Sequence, residues 1–247
     1  MLSTISLYEN DLAASRASGE RALEVATRII DARLECLSEI VLAGTDRESG
    51  AWAEARLRAE RAQAAARRLG SDRFQAMALE EAAHAAIADG RRDEALRLAR
   101  QAYTLCQRGG GLAVSGPSIL ATLALAETDA DRSRAAIAQG EALLNSGCAC
   151  HSHFFLREAA MALALTRREW DEARRHAAAL EAHLGGEPPP RSVFVVEKAR
   201  RLADLGSAPD TSHRATEARH RVAALRKEAR AAGLLALARW PETFTAL

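Results

Sequence analysis

Glu54-Ala55, Glu94-Ala95 and Glu172-Ala173 repeat one dipeptide along the chain, and Arg134-Ala135 fills the remaining slot, so that the four alanines stand 40, 40 and 38 residues apart. Recurrence at this period marks a stacked-repeat architecture, in which no single unit can bury its own apolar face and each does so against its neighbours. Small residues follow each dipeptide at offsets of 4 and 7: Ala55, Ala59 and Ala62, then Ala95, Ala99 and Ala102. Looser copies read Ala135, Gln139 and Ala142, and Ala173, Ala177 and Leu180. Those offsets share one helical face, which a neighbouring helix can approach closely.

Composition agrees with helices in close contact. Alanine supplies 57 of 247 residues while aromatics make up only 4%, which disfavours strands built from β-branched and aromatic side chains. Basic and acidic residues number 34 and 33, so no global field draws the chain to nucleic acid. The longest uncharged run, residues 109–126, is interrupted by Gly109-Gly110-Gly111, Gly116 and Pro117, and a membrane span is not expected. Residues 1–11 carry Glu9 and Asp11 without a basic leader, and Cys36, Cys106, Cys148 and Cys150 form no regular disulfide framework. Both point to a cytoplasmic protein with reduced thiols.

Apolar periodicity and breakers divide the chain into helices. A long first helix is expected over 19–43, closed by Gly44, with segments following at 51–69, 72–88, 92–107, 118–127, 131–145, 153–167, 170–184, 192–205 and 211–232. Ser71, Asp131 and Thr211 sit where caps are needed, and Pro117 where a first-turn proline is tolerated. The organisation expected is an N-terminal segment at 1–18, a repeat domain at 19–232 and a C-terminal tail at 233–247. Within the tail, Trp240 to Leu247 either caps the stack or mediates homo-oligomerisation.

Gly90-Arg91-Arg92-Asp93-Glu94-Ala95, Glu169-Trp170-Asp171-Glu172-Ala173 and Gly50-Ala51-Trp52-Ala53-Glu54-Ala55 resemble the Gly-x-Tyr-Asp-Glu-Ala turn of tetratricopeptide (TPR) repeats, here at about 40 residues per unit. The resemblance implies an all-α, right-handed α-solenoid of TPR-like helical hairpins. In that family the first helix of each pair lines a concave groove. This would place Met77, Glu80, His84, Leu120, Glu127, Phe155 and Glu158 in it, a lining suited to a basic or amphipathic peptide. Gly140-Glu141-Ala142-Leu143-Leu144, Gly147-Cys148, His151-Ser152-His153-Phe154-Phe155 and Glu187-Pro188-Pro189-Pro190 are further similar to the C-terminal repeat region of bacterial class III adenylate/guanylate cyclases and related ATPase-containing regulators. That likeness covers about a third of the chain and implies a docking or regulatory arm of a bacterial signalling system without the enzyme.

Candidate chemistry is sparse. Cys148, Cys150, His151 and His153 place four metal donors within six residues, but structural zinc usually draws on two separated pairs. A metal- or small-molecule-responsive sensor at this loop is the alternative function. Glu81 to His84 and Glu217 to His220 match half of a di-iron motif, and chance matches are expected in a chain rich in Glu and Arg. Residues 111–118 have phosphate-loop spacing but carry Pro117 where lysine is essential. The Arg-rich stretch 214–230 reads as a solvated outer face diluted by Glu217 and Glu228. The expectation is a non-catalytic scaffold that binds a protein or peptide partner, with no cofactor.

Overall fold

The computed structural model describes residues 11–186, 188–209 and 213–232 together with Ser6 and Glu9. Every regular element among them is a helix: α1 Leu12–Ile29, α2 Ala32–Glu48, α3 Trp52–Leu69, α4 Asp72–Ala88, α5 Arg92–Arg108, α6 Leu112–Ala126, α7 Ala130–Asn145, α8 Cys150–Thr166, α9 Trp170–Leu184, α10 Pro190–Ser207 and α11 His213–Ala231. The expected all-α class holds. The chain forms two compact units, Met1–Leu156 and Arg157–Leu247, so α8 contributes its start to the first and its remainder to the second. The tail at 233–247, including Trp240 to Leu247, and the proposed cap Thr211 lie outside the described residues.

A backbone beat underlies the repeat. Left-handed residues fall at Ile30, Gly50, Gly70, Gly90, Gly110, Gly147, Arg168 and Gly185, close to one per helix. Each ends a helix, and most of the linkers that follow are too short to do anything but reverse the chain. The turns at Ala51, Arg91 and Glu169 share one geometry, with φ between −83 and −86° and ψ between 64 and 68°. These are the three turns that carry the TPR-like residues.

Within the first unit the helices pack as consecutive antiparallel pairs. Cys36 Sγ donates to the Ala62 carbonyl at 3.4 Å and Arg58 to Glu39 at 3.1 Å, so position falls along α2 as it rises along α3. Equivalent helices of successive pairs run parallel about one period apart: Thr122 on α6 meets His84 on α4 at 2.9 Å, and Gln139 on α7 reaches Tyr103 on α5 at 2.6 Å. Close backbone approaches also link α2 with α4 and α4 with α6.

Alanine is the device that brings these helices together. Ala59, Ala62, Ala99 and Ala102 are fully buried; Ala62 clusters with Cys36, Ile40 and Ala78, and Ala99 and Ala102 with Leu79, Leu98 and Ile119. A Cβ on Gly140 would stand 2.6 Å from Leu156 Cδ1, and one on Gly19 would stand 2.8 Å from Leu42 Cδ2. In the second unit the six-membered ring of Trp170 packs against Gly206, and Arg174 ties α9 to Asp204 at 3.0 Å.

Four local expectations need correction. The single helix over 19–43 is two helices, α1 and α2. Asp31 caps α2 by accepting from Arg33 and Leu34 amides, Ile30 turns the chain at φ 57°, and Gly44 lies buried inside α2. α1 also begins at Leu12, inside the stretch set apart as an N-terminal segment. Asp129, rather than Asp131, caps α7, accepting from Asp131 and Arg132 amides at 3.0 and 2.9 Å. These bonds to its charged form hold its carboxyl below the usual range.

The third correction concerns register. Ala55, Ala95 and Ala173 each stand four residues after the N-cap of their helix, and the residue in that place on α7 is Ser133. Ser133 is fully buried and donates to the Ala124 carbonyl at 2.8 Å, with Ile137 and Gly140 buried after it. Ala135, Gln139 and Ala142 are exposed. The true spacing is therefore 40, 38 and 40 residues.

The fourth is Pro117, which lies inside α6 rather than in its first turn. A proline there removes an amide and frees the carbonyls one turn back. Ala149 N–H takes the Ala113 carbonyl at 2.8 Å, and Ser152 Oγ takes that of Val114 at 2.8 Å.

Candidate partner-binding surfaces

The freed carbonyls on α6 explain the segment Cys148–His153, which is a loop only at Cys148 and Ala149, since Cys150 to His153 open α8. The Cys148 thiol donates to Leu143 O at 3.1 Å, Ser152 is fully buried on Val114, and His151 also bonds to the Val114 backbone and sits edge-on to Phe155. Burial lowers the His151 pKa below its ordinary value. The segment thus satisfies a proline-broken helix. Among the described residues no group of three or more His, Cys, Asp or Glu side chains is placed to hold a metal ion. That statement covers both Glu-x-x-His stretches: Glu81 pairs with Arg47 at 3.0 Å and His84 bonds to Thr122. Cys36 and Cys106 are buried, and burial pushes each thiol up to about 11, which makes both poor nucleophiles.

The residues expected in a first-helix groove are largely engaged internally. Met77 packs with Phe74 against the Cys36–Ile40–Ala62 cluster. Leu120 is fully buried, which takes it off the accessible surface. Glu127 is 8% exposed, pairs with Arg100 at 3.3 Å and accepts from the Thr128 amide, so it supports the α6–α7 turn. Phe155 packs against Phe154 with ring centroids 5.6 Å apart. In the second unit Glu158 holds Arg191 through two bonds of 2.9 and 3.2 Å, and burial lowers the nearby Lys198 to about 8 although Glu158 opposes the shift.

Glu80 and His84 form a polar centre where α4 meets α6. Thr122 Oγ1 lies 2.9 Å from His84 Nε2, 3.1 Å from the Ser118 carbonyl and 3.5 Å from Glu80 Oε1, so its one proton is shared among three neighbours and links all of them. Glu80 faces Ser118 and Thr122, and burial, reinforced by neighbouring Glu81, raises its pKa to about 8. Arg47 opposes that shift from α2 but is engaged by Glu81 and Glu48. The acidic bias expected of this face is therefore offset, by Arg47 at Glu81, by Arg100 at Glu127 and by the proton on Glu80.

This centre makes stability depend on pH in both directions. The folded chain keeps the Glu80 proton up to about pH 8, whereas an unfolded glutamate loses it near its ordinary value, so this stabilisation fades as pH rises through that window. His84 is held neutral well below 6.5, and its contribution fades as pH falls through that ordinary value. In urea titrations from pH 6.5 to pH 9, the wild type should lose stability relative to Glu80→Gln; parallel profiles would remove Glu80 as the cause.

Open surface lies elsewhere. In the first unit, α3 and α5 flank a cleft of about 450 Å³ floored by α4. Arg56, Glu60, Gln63 and Arg67 line one wall at helical spacings, Glu94, Arg97 and Gln101 the other, and Gln75, Leu79 and Ala82 the floor. Arg56 and Arg91 pair with Glu60 and Glu94, whereas Arg67 and Arg97 have no carboxylate partner among the described residues. The spacing of 56, 60, 63 and 67 along one polar stripe was visible in the sequence, but the facing wall was not. In the second unit a cleft of about 420 Å³ holds Arg174, Arg201 and Arg221, each engaged, by Asp204, Glu197 and Glu217 respectively, with Arg214 beside them.

No described helix is long and apolar enough to cross a membrane. No protein-family model matches the chain, and the search of curated proteins likewise returned no match.

Proposed function

We propose that this chain is a non-catalytic, TPR-like helical scaffold, a right-handed α-solenoid in plan, that holds a protein or peptide partner. The supporting observation is the repeated hairpin in constant register, which places a preformed, solvent-open cleft between second helices. A preformed surface binds without the ordering cost that a flexible one incurs. The role as a regulatory arm of a bacterial signalling system rests on the cyclase-like residues alone. A metal-sensing role has less support, because Cys148 already serves the Leu143 carbonyl on α7 and Ser152 the Val114 carbonyl on α6.

Selection of displayed random dodecapeptides on immobilised protein tests the reading. Enrichment of one sequence class, competed by free peptide, is the expected result. A folded protein that enriches nothing over repeated rounds would contradict it.

A further inference from the structure

We propose that the cleft between α3 and α5 binds an extended, acidic peptide segment. The inference rests on the scaffold reading and names the occupant by three features of the lining.

The first is amide chemistry. Gln63, Gln75 and Gln101 stand on the two walls and the floor, and among the described residues none of their side-chain amides has a hydrogen-bond partner. Each side-chain amide offers both a donor and an acceptor, the same pair that a peptide unit carries. A helical ligand has already satisfied its backbone internally. An extended one brings unpaired N–H and C=O groups to such a surface.

The second is charge. With Glu60 and Glu94 answered on their own helices, Arg67 and Arg97 remain as two unmatched guanidinium groups on opposite walls. Guanidinium forks favour carboxylates in bidentate geometry, so the complementary ligand carries acidic side chains. The third is apolar surface: Leu79 on the floor and Leu98 on the α5 wall both line the cleft, though each is largely buried in the core behind it. Acidic residues flanking one apolar side chain would match all three. The described lining contains no aromatic ring for base stacking, and that favours a peptide over single-stranded nucleic acid.

Fluorescence anisotropy with labelled dodecamers of repeating Gly-Glu-Leu-Glu and of repeating Gly-Lys-Leu-Lys, beside an oligothymidine of equal length, tests the assignment. The acidic peptide should bind best. The double variant R67E/R97E should weaken it at least tenfold and raise affinity for the basic peptide, while Gln63→Ala with Gln101→Ala weakens binding and leaves the charge preference intact. Arg67 and Arg97 are exposed, so an unchanged melting curve is expected and confirms that the fold survives. Unaltered acidic-peptide binding in R67E/R97E, failure of the acidic peptide to bind, or tighter binding of the oligothymidine each overturns the proposal. If peptide selection succeeds while the acidic dodecamer fails, only this assignment falls; if both fail, the scaffold reading falls as well.

Discussion

Arg58→Met is expected to lower stability by about 3–5 kcal/mol, the range for breaking a buried ion pair from one side. Arg58 donates to Glu39 at 3.1 Å and stands 3.8 Å from Asp46, and these two carboxylate residues are 3% and 1% exposed. One guanidinium therefore serves two buried charges. Arg61 lies 3.9 Å from Glu39 but is 60% exposed, so water screens it and it cannot substitute. Arg16 remains 2.6 Å from Asp46, which makes Glu39 the main casualty.

The pH dependence identifies the cause. Burial already raises the Glu39 carboxyl above its ordinary range, and Arg58 is the chief opposing influence. Without Arg58 the folded chain would protonate Glu39 more readily, so the deficit should narrow as pH falls from 7 to 5. Urea denaturation followed by circular dichroism measures both effects. A deficit under about 1 kcal/mol at pH 7, the scale of an exposed pair, would show that the network contributes only surface electrostatics.

Gly206→Ala should cost about 1–3 kcal/mol, because the added methyl would overpack the α9–α10 contact. Its Cβ would stand 2.3, 2.4 and 2.7 Å from three ring carbons of Trp170. A flexible leucine could give way, as Leu156 can beside Gly140, but a rigid indole must move as a whole. Trp170→Phe removes the crowding carbons, so in the double variant the penalty of Gly206→Ala should largely disappear. Coupling of about 0.5–3 kcal/mol is typical of residues in contact. Simple additivity in thermal melts would show that the ring does not set this spacing.

These residues also show how far the sequence could be followed. The turns at Gly50 and Gly90 were legible because glycine and a repeating Glu-Ala act locally, and the turn at Arg168 and Glu169 through the Glu-Ala alone. Eight of the described helices end within one residue of the boundary read from pattern alone, namely α3 to α9 and α11. The break at Ile30 was not legible, since a β-branched residue rarely enters the left-handed region; backbone bonds back to Ala26 and Thr27 and the Asp31 cap close the turn around an exposed side chain. Pro117 misled for a related reason: its cost is met by Ala149 and Ser152, more than thirty residues away in sequence.

The candidate site was harder still to read. Counting groove positions from the repeat found Glu80 and His84 together, but could not show that Thr122 of the next pair links them. Arg67 and Arg97 belong to different helices, and whether each meets a carboxylate depends on packing. The dipeptide at Arg134-Ala135 fitted the period and still gave the wrong register, because a buried serine occupies the place where the other copies have alanine.

That register decides which helical face is buried and which is left for a partner, so a paired substitution on α7 tests it most directly. Ser133→Leu should cost about 2–4 kcal/mol from overpacking and the loss of its bond to Ala124. Ala135→Leu, two residues away on the exposed face, should fall within about 0.5 kcal/mol of wild type. Denaturation midpoints that rank the two variants in that order support the hairpin register, and a larger loss at Ala135 than at Ser133 would contradict it.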